Sequence, residues 1–172
     1  MRKEVFESIE KSCDGEYKDN LTKIAHIIKS SRYCVVLTGA GVSTESGIPD
    51  FRSPDTGLWT KVDPMAALSN TTFRTDPIGF YQFIEDMMDV FLKAEPNECH
   101  KAIAELEELG YIKTVITQNI DGLHRRAGSR NMLEVHGNTE GGKCIRCGKT
   151  FSMNHIMKLV KAGKLPDRKS VV

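Results

Sequence analysis

The 172-residue sequence predicts an α/β fold with a parallel sheet. Three observations predict it. Short apolar segments alternate with segments of helical periodicity, these apolar segments end in polar residues, and a glycine-rich turn directly follows the first of them. At about 150 residues per domain, the length corresponds to one domain.

The composition excludes several classes of protein. The chain has 24 Lys and Arg against 23 Asp and Glu, and this near-zero net charge of +1 argues against a dedicated nucleic-acid binder. No apolar run approaches the ~18 residues of a membrane span, and residues 1–20 lack the apolar stretch of an export signal. The five cysteines are an odd number, which favours reduced thiols or metal ligands over disulfides. We therefore expect a cytoplasmic domain without nucleic-acid or membrane partners.

The first third of the chain predicts a helix, a strand and a turn. A helical repeat ending near Ser30 and Ser31 is formed by Leu21, Ile24, Ala25 and Ile28. The segment from Tyr33 to Leu37 is short and continuously apolar, which is typical of a strand buried on both faces. From Ser53 to Pro77 no periodicity is sustained, and we expect loops and short helical pieces.

The middle of the chain predicts two helices and two further strands. A helical stripe is formed by Phe80, Phe83, Ile84, Met87, Met88 and Phe91. Asn97 is placed to cap a second helix, which closes at Gly110. Strands are expected from Tyr111 to Thr117 and from Met132 to Val135, joined in parallel by right-handed crossovers.

The glycine pair Gly39-x-Gly41 after the first strand is a weak signal when taken alone. It fits a turn that lets the backbone approach a phosphate, and it fits a plain strand-to-loop turn equally well. Position 44 is Thr44, where a dinucleotide fingerprint has its third glycine, and no strand ending in an acid follows about 20 residues later. An ordinary nicotinamide dehydrogenase is therefore disfavoured.

The complete string from Gly39 to Ser53 closely resembles the glycine-rich cofactor motif of the sirtuins, which are NAD-dependent protein lysine deacylases. Two further family signatures are matched in the same order by the segments 118–121 (Gln-Asn-Ile-Asp) and 136–137 (His-Gly). Cys144 and Cys147 follow where the family has the first half of its zinc site. The resemblance covers about residues 21–151, and four ordered motifs identify the chain as a member of this family.

The resemblance implies a protein lysine deacetylase that consumes NAD, giving nicotinamide and O-acetyl-ADP-ribose, with an acetylated-lysine protein or peptide as its partner. The acyl oxygen attacks the ribose carbon that bears nicotinamide, and a base then activates a ribose hydroxyl. His136 matches that base, and an imidazole titrates near neutral pH, which suits the role. Two alternatives stay open: an inactive NAD-binding or regulatory fragment, and an ADP-ribosyltransferase.

The same resemblance assigns the cofactor contacts. The positions nearest the phosphates and adjacent ribose are Gly39, Ala40, Gly41, Ser43 and Thr44. The nicotinamide pocket corresponds to Ile48, Ile120 and Asp121, the ribose-facing polar contacts to Gln118 and Asn119, and the loop covering the cofactor to Phe51 and Arg52. Asp50 is either a further contact or a brace of the loop or a helix cap.

The resemblance also divides the chain. We expect residues 1–172 to form an incomplete sirtuin-type catalytic domain. Residues 18–53 and 97–138 are its Rossmann-like part, residues 54–96 the cofactor-binding loop and helical module, and residues 139–172 a partial zinc-binding module.

The zinc module has an incomplete ligand set. Structural zinc takes four ligands, and Cys144 and Cys147 supply two. A second Cys-x-x-Cys pair would fall near Gly163 to Asp167, where no cysteine stands. We therefore expect a Zn²⁺ half-site with weak or no binding by a monomer, and a chain that lacks the C-terminal half of the fold. Little deacetylase activity is expected, as is self-association or pairing with another chain through an exposed sheet edge.

Overall fold

The computed structural model describes residues 15–50, 67–144 and 147–162. Helices and strands alternate along these residues, as the sequence predicts. The elements are α1 (Gly15–Ser30), β1 (Cys34–Thr38), a 3₁₀ segment (Ala40–Ser46), α2 (Asn70–Thr75), α3 (Pro77–Lys93), α4 (Glu98–Glu108), β2 (Ile112–Thr117), α5 (Leu123–Ala127), β3 (Met132–Glu134), β4 (Gly141–Lys143), β5 (Thr150–Ser152) and α6 (Met153–Lys161).

The first three strands form a parallel sheet in the order β1-β2-β3. Thr38 pairs with Thr117, and Thr117 pairs with Glu134, so all three strands end at the same level. The parallel α/β architecture is thus confirmed. The predicted segment boundaries of the Rossmann-like part and the inserted module stay predictions, as does self-association at the edge of this sheet.

The predicted helices are confirmed. The helix expected to end near Ser30 does so, and the apolar stripe of the third helix lies within α3. Asn97 caps α4, because its side-chain oxygen accepts from the backbone N–H groups of Cys99 and His100 at 3.0 and 3.2 Å. A cap of this kind satisfies donors that have no partner within the helix itself.

The expectation that β1 is buried on both faces is wrong within the described residues. Burial alternates along the strand, and Val35 and Leu37 are 46% and 67% exposed. Helix α4 covers one face of the sheet, where Ile103 packs against Ile112 and Val115. No described element buries the other face, so the strand has the period-2 pattern of a half-buried sheet.

Two further apolar clusters connect the sheet to the remaining elements. Ile48, beyond the 3₁₀ segment, packs with Leu123 of α5 and with Met87, Phe91 and Ala94 at the end of α3. A separate cluster joins α3 to the β4–β5 hairpin and α6 through the buried side chains of Tyr81 and Ile156. Among residues 15–50, 67–144 and 147–162, no helix combines the length and the apolar character needed to cross a membrane.

We expect Leu123→Ala to lower the free energy of unfolding by about 2–5 kcal/mol, because Leu123 is fully buried and its truncation leaves a cavity. Urea denaturation measures the change. The matched control is Leu133→Ala on β3, where the leucine is 57% exposed and the expected change is within about 0.5 kcal/mol. Equal losses in the two variants would contradict this assignment of the core.

Candidate active site

The candidate site lies at the carboxyl ends of the three parallel strands, where open α/β sheets bind ligands. Hydrogen bonds connect the segments that leave these strands. The backbone N–H of Gln118 donates to the carbonyl of Thr38 at 3.1 Å, and that of Val135 donates to the carbonyl of Thr117 at 2.9 Å. The predicted site segments after β1, β2 and β3 are therefore neighbours.

The glycine-rich turn has open space in front of it. A Cβ atom built on Gly39 or Gly41 would meet no atom within 4 Å, and neither glycine has a positive φ. Neither packing within the described chain nor backbone strain therefore requires glycine there. Gly47 differs, since it ends the 3₁₀ segment in the left-handed region with φ of 83°. The first two glycines leave room for a ligand to approach the backbone.

Beneath this turn, Ser43, Asn119 and Asp121 form a buried hydrogen-bonded group. The Ser43 hydroxyl donates to Asp121 Oδ2 at 2.7 Å. Asn119 Nδ2 donates to Ser43 Oγ at 3.1 Å and to the carbonyl of Gly39 at 3.0 Å. The other oxygen of Asp121 accepts from the backbone N–H of Leu123 at 2.9 Å. Three of the predicted cofactor contacts are thus held in one arrangement by one another.

Two buried histidines support this group. His100 on α4 and His124 on α5 are 0% and 1% exposed, and their rings meet edge to face with centroids 4.7 Å apart. His124 Nε2 lies 2.9 Å from the hydroxyl of Thr38, which itself donates to Thr117 Oγ1 at 2.9 Å. Since Thr38 has a single hydrogen, His124 donates from Nε2, and this fixes its tautomer.

Burial keeps both rings neutral. Desolvation, together with the neighbouring His100, lowers the pKa of His124 to about 4, and Asp121 opposes the change. Desolvation also lowers the pKa of His100, again against the attraction of Asp121. A charged imidazole loses its hydration when it is buried, so the uncharged form is favoured. Among the described residues, no partner is found for His124 Nδ1.

His136 has a different environment, since it is exposed at the end of β3. Its Nδ1 atom lies 3.1 Å from the backbone carbonyl of Gln118. A carbonyl can only accept, so Nδ1 carries the hydrogen and Nε2 of the neutral ring is the acceptor. His136 lines a cleft of about 640 Å³ that extends to Lys143 and Phe151 of the hairpin.

The structure brings most of the predicted residues together. Ala40 and Thr44 lie on the 3₁₀ segment, where the Thr44 hydroxyl donates to the carbonyl of Gly41 at 2.9 Å. Ile48 is buried in the first core cluster, Ile120 packs against that cluster, and Asp50 is half-buried. Phe51 and Arg52 lie outside the described residues.

The predicted zinc ligands lie on a tight turn between β4 and β5. Cys144 is buried, Cys147 is exposed, and the backbone N–H of Cys147 donates to Cys144 Sγ at 3.4 Å. This donor set fits half of a structural zinc site, in which backbone N–H groups support the thiolates. Across the described ranges, no three His, Cys, Asp or Glu side chains are grouped so that they could hold a metal.

Sequence reasoning missed the hydrogen-bonding roles of His100 and Thr38. One signal could have located His100: it lies three residues before Ile103 on the apolar side of α4, and three residues after the capping residue Asn97. A polar residue at such a position is buried and needs hydrogen-bond partners. Its contact with Ser43, 57 positions away in the chain, has no local signal.

The known proteins that are similar to this chain agree in family. A family model described as "Sir2 family" matches residues 39–171. The chain is 48% identical over 151 residues to "NAD-dependent protein deacetylase 2" of Caldanaerobacter subterraneus subsp. tengcongensis, covering 88% of this chain and 60% of that protein. It is 47% identical to "NAD-dependent protein deacylase 2" of Archaeoglobus fulgidus, covering 87% of this chain and 58% of that protein.

Solved structures show the same similarity. A Sir2 structure with a deacetylated p53 peptide and 3′-O-acetyl ADP-ribose has a TM-score of 0.78 and 40% identity, and covers 88% of this chain and 62% of that one. A Sir2 complex with a p53 peptide and NAD⁺ has a TM-score of 0.72 and 38% identity, with shares of 87% and 60%. The chain therefore spans about 60% of the length of these relatives.

The neutral histidines predict a pH dependence of stability. The unfolded chain takes up a proton on His124 near pH 6.5, whereas the folded chain does so only near pH 4. Protonation of His124 therefore does not affect the free energy of unfolding above about pH 6.5. As the pH falls towards 4, it lowers this free energy by up to about 3 kcal/mol. Urea denaturation at pH 7, 6 and 5 measures this loss.

Matched variants separate His124 from the other titrating groups. His124→Gln keeps a donor for Thr38 but cannot be protonated, so the loss between pH 7 and 5 becomes smaller. His26→Gln on the exposed surface of α1 leaves the loss unchanged. A His124→Gln protein with the full pH dependence would show that this histidine is not the group responsible.

Because Cys144 and Cys147 provide two thiol ligands, we expect the chain to retain zinc weakly. After gel filtration, we expect metal analysis to find well below one zinc per 172-residue chain, since zinc prefers four ligands and this turn supplies two. Cys144→Ser removes the zinc that remains, whereas Cys34→Ser in β1 does not change it. One zinc per monomer with four protein ligands would contradict the prediction.

Proposed function

The chain belongs to the Sir2 family, and from that premise we propose that it acts as an NAD-dependent protein lysine deacetylase. NAD is consumed as a co-substrate, an acetylated-lysine protein or peptide is the second substrate, and the products are nicotinamide, the free lysine and O-acetyl-ADP-ribose. The proposal places the protein in the cytoplasm, where thiols such as the free Cys34 and Cys99 stay reduced.

The observation that carries the proposal is the orientation of His136. Its Nδ1–H group is held by the carbonyl of Gln118, which leaves the acceptor Nε2 for a substrate proton. The ring is exposed at the carboxyl edge of the sheet and lines the cleft beside the hairpin. A general base needs this combination of a fixed tautomer and an accessible lone pair.

The glycine-rich turn supports a phosphate-containing ligand. The open space in front of Gly39 and Gly41 is where a ligand can come close to backbone N–H groups. Ser43, Asn119 and Asp121 lie just beneath and are already fixed by their mutual hydrogen bonds. A site preorganised in this way loses little side-chain entropy when it binds its ligand.

Asp121 suits the carboxamide of nicotinamide. Its carboxylate is 9% exposed, accepts from Ser43 and Leu123, and can also accept from an amide NH₂ group. Ile48 and Ile120 supply apolar surface beside it for the pyridine ring. This combination of one polar group with apolar walls gives both affinity and orientation.

The reaction divides into two parts. The acyl oxygen of the lysine attacks the ribose carbon of NAD, and nicotinamide leaves. His136 then accepts a proton from a ribose hydroxyl, whose oxygen attacks the former acyl carbon. The lysine amine leaves from that carbon, and one water molecule hydrolyses the remaining cyclic intermediate to O-acetyl-ADP-ribose. Zinc has no step in this chemistry; at Cys144 and Cys147 it would stabilise the hairpin module.

In a chain that shows turnover, we expect His136→Ala to lower peptide deacetylation by about 10²–10⁴-fold, because it removes the proton acceptor of the step that follows nicotinamide release. Binding of NAD, measured by calorimetry, should change little, since Gly39, Ser43 and Asp121 stay in place. The assay follows nicotinamide and the mass of an acetyl-lysine peptide. His26→Ala, on the exposed surface of α1, is the control and keeps full activity.

The same assay tests the alternatives. Full turnover by His136→Ala would refute the role of His136. A wild-type chain that binds NAD without releasing nicotinamide would be a binding module, and a chain that transfers ADP-ribose to protein would be a transferase. Either result would overturn the proposed deacetylase function.

A further inference from the structure

His100 lies outside the predicted site residues, yet it is fully buried directly behind the candidate nicotinamide pocket. Its ring contacts three groups from different parts of the chain: the side chain of Asn97, the hydroxyl of Ser43 and the ring of His124. The contacts with Asn97 and Ser43 determine which ring nitrogen of His100 carries a hydrogen and which one can accept a hydrogen bond.

Asn97 fixes the tautomer of His100. The Nδ2 group of Asn97 donates to the carbonyl of Val42 at 2.8 Å, so its Oδ1 atom faces α4. That oxygen lies 2.9 Å from His100 Nδ1 and can only accept, so Nδ1 carries the hydrogen. The neutral ring therefore presents a lone pair at Nε2, and burial, which lowers the pKa of His100, preserves this neutral form.

That lone pair faces Ser43, whose single hydroxyl hydrogen has two acceptors within reach. Asp121 Oδ2 is 2.7 Å from Ser43 Oγ, and His100 Nε2 is 3.5 Å from it. Asn119 Nδ2 already donates to the same oxygen at 3.1 Å. The hydrogen belongs to Asp121 here, because that acceptor is closer and is a carboxylate. His100 Nε2 is thus an acceptor at the edge of hydrogen-bond distance.

We propose that His100 is a positioning residue, which accepts the Ser43 hydroxyl hydrogen when a carboxamide ligand takes over Asp121 Oδ2. The inference rests on the proposed function, in which Asp121 binds the amide of nicotinamide. An amide NH₂ that donates to Asp121 Oδ2 either shares this oxygen with the Ser43 hydroxyl or displaces it, and displacement requires a second acceptor for Ser43. By turning towards His100, the hydroxyl keeps a partner in a buried site, where a lost hydrogen bond is costly.

The exchange gives a role to the second acceptor near the Ser43 hydroxyl. Without His100, ligand binding at Asp121 would leave the Ser43 hydroxyl without an acceptor, or it would force the ligand to share the carboxylate oxygen. With His100 present, the Ser43 hydroxyl hydrogen turns towards Nε2 while Oγ stays in place and still accepts from Asn119. The free energy lost with the hydrogen bond from Ser43 to Asp121 is then offset by the hydrogen bond from Ser43 to His100.

The wild-type chain gives the direct test. In protein labelled with ¹⁵N in histidine, nicotinamide or NAD should shift the His100 Nε2 resonance towards the value of a hydrogen-bonded nitrogen. Nicotinic acid is the matched ligand control, since its carboxylate has no amide hydrogen for Asp121 and should leave that resonance unchanged. Nicotinamide binding without a response at Nε2 would overturn the inference.

Two substitutions separate the two nitrogen atoms of His100. His100→Gln keeps an acceptor near the Nε2 position, whereas His100→Asn keeps a partner for Asn97 and loses that acceptor. We expect His100→Asn to weaken NAD binding about 3- to 10-fold and His100→Gln to stay within about twofold, measured by calorimetry. A purely structural role through Asn97 predicts the reverse order, so that order would refute the proposal.

A double-mutant cycle links the effect to Ser43. In a Ser43→Ala background no hydroxyl hydrogen remains, so His100→Asn should cause no further loss of NAD affinity. Additive losses would contradict the proposal. Thermal melting checks that each variant is folded, and the labelled wild-type protein decides the question if a variant is not. If neither NAD nor nicotinamide binds the wild-type chain, the proposed function fails, and this inference fails with it.

Discussion

The alignment of three parallel strand ends is the constraint on which the candidate site depends. Thr38, Thr117 and Glu134 stand side by side, and the hydroxyl hydrogen bond between the two threonines joins β1 to β2 at the last residue of each. A shift of one residue would turn the side chains of a strand to the opposite face of the sheet. The glycine turn, the Asn119–Asp121 segment and His136 all start from this level, so their distances follow from the register.

Hydrogen bonds with defined donors and acceptors link the aligned strand ends to the side chains of the site. His124 donates to Thr38, Thr38 to Thr117, and Asn119 donates from its backbone to Thr117 and from its side chain to Ser43. Because each hydroxyl has one hydrogen, the direction of one bond determines the next. Such a network orders the buried polar groups before any ligand arrives, and its cost is the desolvation of two imidazoles.

The sequence predicts the elements well where local chemistry decides them. The stripe of α3 and the cap at Asn97 follow from helical periodicity and from hydrogen bonding within one turn. Prediction from the sequence fails where contacts between residues far apart in the chain determine the structure. A continuously apolar β1 suggested burial on both faces, but Val35 and Leu37 are exposed because only one face is covered by a described helix. His100 has no local mark of its contact with Ser43. The ordered motifs predict which segments form the site, and they do not predict which side chains support it.

Three histidines at this site show how solvent and partners give one residue type different roles. His100 and His124 are buried, and desolvation keeps them uncharged, so they serve as fixed donors or acceptors. His136 is exposed, and the carbonyl of Gln118 holds its Nδ1 atom, so its other nitrogen stays accessible to a substrate. A buried base could not exchange its proton with water between turnovers, and an exposed support would lose its orientation to competing water. The burial of each imidazole therefore separates the two proposed roles, proton transfer by His136 and positioning by His100.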